Sequence, residues 1–455
     1  MHNEILQKVY QVSDFNENGH LLIDQLTTHL EDKLNANSRN AINWNKPEQE
    51  LKFWKDFLVY GNQKELFQEI TKRTTYIHHP NYLGHQVSPP APITALTSLI
   101  SSLLNNGTAV YEMGMASNAI ERIVMEIICN KIGYDTNSSG FLTSGGTLAN
   151  LTALLSARKA ITKIDIWNKG TQNQLGIMVS EEAHYCVDRA ARIMGLGDQG
   201  IIKVPVTREF RIAIVVSAPS TATGIFDDLE VIGSYAEKQK IWFHVDGAHG
   251  GAGIFSKKYQ HTLKGIEKAD SVVIDGHKMM MMPALTTALL FKNDVNAKAT
   301  FSQKADYLLS DSEHEDWYNS GKRTFECTKN MMSIHWFTLL KLYGEEVFDA
   351  NVTQLYDLGA NFAKLIEEAP NFELALQPMS NIVCFRYLKS GLNTENLNEL
   401  NVKIRQALLE DGEFYIVQTK LKGIQYMRIT VMNPFTKTEH FKSLIEKIKY
   451  LVTKI

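Results

Sequence analysis

The sequence predicts an α/β protein with a mostly parallel sheet, preceded by a helical N-terminal segment and followed by a smaller C-terminal α+β domain. Three observations carry this expectation. Short β-branched runs alternate with helix-like stretches through the middle of the chain, a Ser-Gly-Gly turn opens one of those helices, and two of the runs end on Asp246 and close to Lys278. The runs are Gly176 to Ser180, Ile201 to Val206, Ile212 to Ser217, Ile241 to Val245, Ser271 to Ile274 and Ala288 to Phe291. Strands buried on both faces read as continuous apolar runs, and ligands of such sheets sit at the carboxyl ends of the strands.

Around this core, residues 1 to about 75 are polar and helix-like, with a break in the Asn-rich stretch Asn35 to Asn45. The Pro-dense segment His79 to Pro92 reads as a shaped loop and Thr94 to Leu104 as a helix. The chain closes with the helical stretch Glu439 to Thr453. The expected domains are 1–88, an N-terminal helical segment with a substrate loop; 89–345, the large α/β domain; and 346–455, the small domain.

The 47 basic and 50 acidic residues are well mixed and give a net charge of −3, which argues against a nucleic-acid partner. No apolar stretch approaches a bilayer-spanning length and the first twenty residues lack a signal-peptide pattern, so a cytoplasmic protein away from membranes is expected. Cys129, Cys186, Cys327 and Cys384 are widely spaced and read as reduced, buried small residues. No metal-ligand spacing occurs, and no metal site is expected.

Three segments carry chemistry. Thr143 to Asn150, TSGGTLAN, leads into leucines at helical spacing; its glycines let a backbone approach an anion, and the helix start offers free N–H groups. IWFHVDGAHGG delivers Asp246 at the end of a strand, where a carboxylate can hold a proton on a pyridine nitrogen while small neighbours leave room for a flat ring. ADSVVIDGHKMMMM runs out of a strand into Lys278, an amine among apolar residues and a nucleophile for an aldehyde. Taken singly, each also reads as ordinary structure: a loop and cap, a strand-end aspartate, a lysine snorkelling from a methionine-rich core.

In this order, the three segments resemble the fold type I pyridoxal-5′-phosphate (PLP) enzymes, and within them the group II amino-acid decarboxylases acting on glutamate, cysteine sulfinate, 2,4-diaminobutyrate, histidine or aromatic amino acids. The resemblance runs from His79 to the C-terminus. It implies a large mixed-sheet domain, PLP bound as a Schiff base on Lys278, Asp246 at the ring nitrogen and Ala248 beneath the ring. His184, in SEEAHYCVDRA, matches the histidine stacked over the ring; Ser144, Gly145, Gly146, Thr147 and His277 match the phosphate site. Thr221 falls near the contact to the ring hydroxyl, with Pro219 where the family has Gly. Tyr318, in HEDWYNSGKRTFECTK, matches the loop tyrosine that returns a proton to the substrate carbon, and Arg428 the arginine that receives a substrate carboxylate.

The resemblance also implies that His85, Gln86 and Ser88 line the substrate side chain, and their polarity suggests a polar substrate. A short acidic amino acid such as glutamate, aspartate or cysteine sulfinate comes first, and 2,4-diaminobutyrate next. The family's active site lies at a homodimer interface; AVYEMGMAS matches the stretch given by the neighbour, so Val110 and Glu112 are expected to face the partner's site. Two alternatives stay open: another PLP lyase or aminotransferase of the same fold, and a PLP-binding regulator or inactive homologue.

Overall fold

The computed structural model describes residues 2–162, 165–170, 175–180, 183–204, 215–301 and 317–455. The chain forms two compact units. One is Met1–His85, Ala369–Phe372 and Arg386–Ile455; the other is Gln86–Glu368 and Glu373–Phe385.

The larger unit is built on a seven-stranded mixed sheet in the order β1-β7-β6-β5-β4-β2-β3. Its strands are β1 (Ser139–Thr143), β2 (Ile177–Ser180), β3 (Ile201–Val204), β4 (Val215–Ser217), β5 (His244–Asp246), β6 (Ser271–Asp275) and β7 (Thr287–Phe291). Strands β3, β2, β4, β5 and β6 run parallel, and β7 lies antiparallel between β6 and β1. Reversal at β7 therefore returns β1 to the polarity of β6. The register puts Thr143 opposite Thr287 and Thr287 opposite Asp275, so β1, β5 and β6 all finish at one edge.

Every residue of β1, β4, β5, β6 and β7 is buried, as expected for strands covered on both faces. The helix Gly146–Ile161 starts where β1 ends and packs Ala149 and Ala153 against Ala248, Val273 and Leu289. These small side chains bring the helix axis close to the sheet. The strands fall on the expected runs; the ends of two runs, 205–206 and 212–214, lie outside the described residues. β1 was not expected, because SGFLT carries only two large apolar residues.

In the smaller unit the helices His2–Val9, Val12–Leu34, Pro47–Tyr60 and Leu66–Lys72 belong with the C-terminal helices Thr394–Asp411 and Thr438–Val452. Its hairpin β10 (Val417–Leu421) and β11 (Ile424–Thr430) pairs antiparallel, whereas most of the preceding strands β8 (Phe372–Leu374) and β9 (Ile382–Tyr387) belongs to the larger unit. Backbone bonds join the ends of this unit: Ala41 N–H donates to Gly412 O at 2.9 Å, Leu83 N–H to Tyr415 O at 2.9 Å, and Thr430 N–H to Leu83 O at 2.9 Å. No helix among the described residues is long and apolar enough to cross a membrane. Cys129, Cys186 and Cys384 are buried, but Cys327 is exposed, contrary to expectation, because it lies in an irregular segment rather than on a strand or core helix.

Candidate active site

At the shared carboxyl edge of β1, β4, β5 and β6 lies a cavity of about 320 Å³, wholly inside the larger unit. Ser144, Gly145, Gly146, Thr147, His184, Thr221, Asp246, Ala248, His277 and Lys278 all line it, together with Gln86.

The wall after β1 is the start of the Gly146–Ile161 helix. Gly145 takes φ +108°, a conformation that side chains rarely adopt, and turns the chain from strand into helix. At Gly146 a Cβ would stand 3.1 Å from Asp275 Oδ1 and 3.4 Å from Ala248 Cβ, so any side chain would fill the cradle. The first N–H groups of the helix have no partner within it and suit an anion. The Glu326 carboxylate accepts from Ser144 N–H at 3.0 Å and from the Thr143 hydroxyl at 2.9 Å, so this turn already holds one anionic group.

The floor comes from β5 and β6. Asp246 is buried; it accepts from Asn150 Nδ2 at 3.0 Å and from Ala248 N–H at 3.2 Å, and has no ion-pair partner among the described residues. A buried carboxylate held only by neutral donors is costly unless a cation completes it. Three residues beyond the end of β6, Lys278 Nζ lies 3.0 Å from Asp275 Oδ2, and Asp275 also accepts from the Thr287 hydroxyl at 2.6 Å. Met279, Met280 and Met282 are fully buried, fixing the turn that carries the lysine. The Nδ1 of His277 faces the Thr286 backbone, 3.0 Å from its carbonyl oxygen and 3.3 Å from its nitrogen.

The opposite wall is His184, which caps the helix Tyr185–Ile193 by accepting Cys186 N–H on Nδ1. Burial pushes its imidazole below the ordinary value, against the opposing pull of Asp246. A neutral flat ring therefore faces the cavity. Gln86 also reaches in; its Nε2 is shielded from solvent and finds no hydrogen-bond partner among the described residues.

Other expected site residues lie elsewhere. Ser88 is buried beside the cavity wall, its N–H 3.5 Å from His277 O, but does not line the cavity. His85 and Arg428 belong to the smaller unit, where partial desolvation and then the Arg428 and Arg405 guanidinium groups lower the His85 imidazole. Val110, Glu112 and Tyr318 do not line the cavity either. They gather in a patch of their own, where the Tyr111 and Tyr318 rings meet edge to face at 5.5 Å and Tyr111 N–H donates to Asn319 Oδ1 at 2.9 Å.

Sequence reasoning passed over Asn150, His249 and Asp275. Asn150 lies one helical turn after Gly146, a spacing that places both on one face, and Asp275 sits three residues before Lys278 at a strand end; both signals were legible.

An anion cradle at a helix start, a buried aspartate awaiting a cation and a lysine at the same sheet edge fit pyridoxal phosphate, with its phosphate, basic ring nitrogen and aldehyde. The chain matches the pyridoxal-dependent decarboxylase conserved domain over residues 68–215 and 211–388, and it belongs to that family. It is a PLP-dependent enzyme that decarboxylates an amino acid, a carboxy-lyase.

Among curated relatives it is 26% identical to an aromatic-L-amino-acid decarboxylase of Bacillus atrophaeus, covering 88% of this chain and 85% of the relative. It is likewise 26% identical to an aspartate 1-decarboxylase of Aliivibrio fischeri, covering 85% and 82%. Of solved structures, mouse CSAD superposes with a TM-score of 0.87 at 20% identity over 97% of this chain and 100% of that one. Oryza sativa TDC with PLP and tryptamine gives 0.85 at 17% identity, over 98% and 99%. These likenesses support the fold type I architecture.

Proposed function

We propose that the substrate is a short acidic amino acid, decarboxylated in a homodimer whose two active sites each draw on both chains, in the cytoplasm. Gln86 carries the substrate reading: it lines the cofactor cavity, its buried Nε2 finds no hydrogen-bond partner among the described residues, and a buried donor is costly until an acceptor such as a carboxylate meets it. The aspartate 1-decarboxylase relative agrees in substrate class, whereas an L-2,4-diaminobutyrate decarboxylase of Acinetobacter baumannii, 24% identical over 86% of this chain and 83% of its own, keeps a diamino acid as second choice. Glu112 pulls toward that second choice, since a carboxylate near a side-chain pocket favours a cation.

When bound, pyridoxal phosphate supplies an electron sink that labilises whichever bond to the substrate α-carbon stands perpendicular to its ring. In this reading Lys278 holds the cofactor covalently through its amine, while Ser144, Gly145, Gly146, Thr147 and His277 receive the phosphate. Asp246 keeps a proton on the ring nitrogen, Ala248 and His184 enclose the ring faces, and Thr221 meets the ring hydroxyl. Gln86 and Ser88 would orient the substrate for loss of its α-carboxylate, the role that the resemblance also gives His85 and Arg428. Tyr318 would return a proton to the α-carbon once carbon dioxide has left.

Support for sites shared between chains comes from the Tyr111–Tyr318 patch, which joins Tyr318 to the Val110–Glu112 segment away from the chain's own cavity lining. The deciding experiment offers acidic, diamino, aromatic and hydroxylated amino acids to the purified enzyme and measures carbon dioxide and amine. Highest kcat/KM is expected for an acidic substrate, with Gln86→Leu raising its KM about tenfold or more. An aromatic preference, or a Gln86→Leu enzyme with unchanged KM, overturns this substrate assignment.

A further inference from the structure

Behind Asp246 a polar chain runs into the core of the large sheet. Trp242, His244 and Asp246 are spaced two residues apart along the run into β5, so their side chains leave one face of the sheet, the face covered by the Gly146–Ile161 helix and its Asn150. On the neighbouring strand Ser271 lies directly across from His244. The contacts are continuous: Trp242 Nε1 to Ser271 Oγ at 3.0 Å, Ser271 Oγ to His244 Nδ1 at 2.8 Å, His244 Nε2 to Asn150 Oδ1 at 2.7 Å, and Asn150 Nδ2 to Asp246 Oδ2 at 3.0 Å.

Chemistry assigns a direction to every one of these bonds. An ionised carboxylate only accepts, so Asn150 must turn its NH2 toward Asp246 and its carbonyl toward His244. His244 Nε2 then carries the proton and Nδ1 is bare. An indole N–H only donates, so the Ser271 hydroxyl accepts from Trp242 and gives its own proton to His244 Nδ1. Such a chain requires a neutral histidine, and burial brings His244 down to about 4. The second N–H of Asn150 is also used, 3.5 Å from Cys186 Sγ. Reversing any one member would set acceptor against acceptor or donor against donor.

We infer that Asn150 is a positioning residue for Asp246, and that the His244–Ser271–Trp242 chain behind it locks the carboxylate as a hydrogen-bond acceptor directed at the cofactor's ring nitrogen. The inference rests on the pyridoxal-phosphate reading of the site, since only a ring nitrogen gives Asp246 its partner. Asn150 borders the cavity beside Asp246, and in this inference it acts through the aspartate, fixing the rotamer of its carboxylate.

The test compares two ligands on cofactor-stripped protein: pyridoxal 5′-phosphate and its 1-deaza analogue, which replaces the ring nitrogen by carbon. Both keep the aldehyde and the phosphate. Asn150→Leu is expected to weaken the natural cofactor about 10- to 100-fold, the range for losing a hydrogen bond to a charged group, while the analogue changes by less than about threefold. Ser271→Ala removes the hydroxyl that fixes the histidine tautomer and is expected to give a smaller loss of the same pattern, about threefold or more. That second variant carries the comparison if Asn150→Leu fails to fold, which circular dichroism reports. Equal weakening of both ligands, or of neither, overturns the positioning role. A wild-type protein that binds no pyridoxal phosphate and forms no borohydride-reducible adduct at Lys278 instead removes the site reading on which it rests.

Discussion

Lys278, Asp246 and His184 each leave a strand end or open a helix and converge on one cavity, whereas Val110, Glu112 and Tyr318 collect on a separate patch and line none of it. The first group is held by buried strands, by a registered sheet edge and by hydrogen bonds at about 3 Å. Packing against an exposed Tyr111 and anchoring through Asn118 Nδ2 to the Tyr318 carbonyl hold the second. The contrast teaches that the residues proposed to hold the cofactor meet in one cavity of a single chain, whereas Val110, Glu112 and Tyr318, proposed to act on the substrate, do not join them there.

That contrast can be broken or sharpened by experiment. The largest effect is expected at Lys278: Lys278→Ala should abolish the borohydride-reducible adduct and lower amine production by about 1000-fold or more, as for removal of other covalent catalysts. Retained adduct after that change would place the covalent bond elsewhere. Tyr318→Phe should keep cofactor absorbance while slowing amine formation about 100- to 10,000-fold, the range for a lost general acid, or diverting it to oxidative products. Unchanged amine output would remove the tyrosine from the chemistry.

Mixing those two inactive variants tests the division between the regions directly. If Tyr318 serves the partner's cavity, half of randomly reassembled dimers are mixed and each has one intact site, so activity should return to about a quarter of wild type. No recovery would put both groups in one chain's site.

Smaller effects come from buried histidines. His244 and His335 are both lowered to about 4 by burial, from an ordinary 6.5, and His335 shares a 2.6 Å hydrogen bond with Thr97. Between those values the unfolded chain binds protons that the folded chain refuses, so stability should fall as pH drops through that window, by up to about 3 kcal/mol for each histidine. Urea midpoints measured across the window check the sign, and His335→Gln should flatten the slope.

Much of the cavity was legible in order along the chain: a Gly-Gly turn before leucines at helical spacing, an aspartate closing an aromatic and β-branched run, a lysine just past another. These are local patterns with local causes, and the structure brings those residues to one edge. β1 escaped notice because five residues with two large apolar side chains read equally as loop. Asn150 escaped because its importance lies in what it touches, 94 and 96 residues away along the chain.

By itself the sequence determined the alternation that makes a layered α/β unit, the anion-binding turn, and the residue types able to hold and activate a pyridoxal ring, since period, turn chemistry and side-chain chemistry are short-range properties. Only tertiary structure decided that β7 runs backward and so returns β1 to the edge shared by Asp246 and Lys278. It alone grouped Met1–His85 with Arg386–Ile455 and aligned the hydrogen-bond chain behind Asp246. Strand direction, the pairing of distant segments and the polarity of a buried hydrogen bond depend on which surfaces meet, and no window along the chain contains both partners.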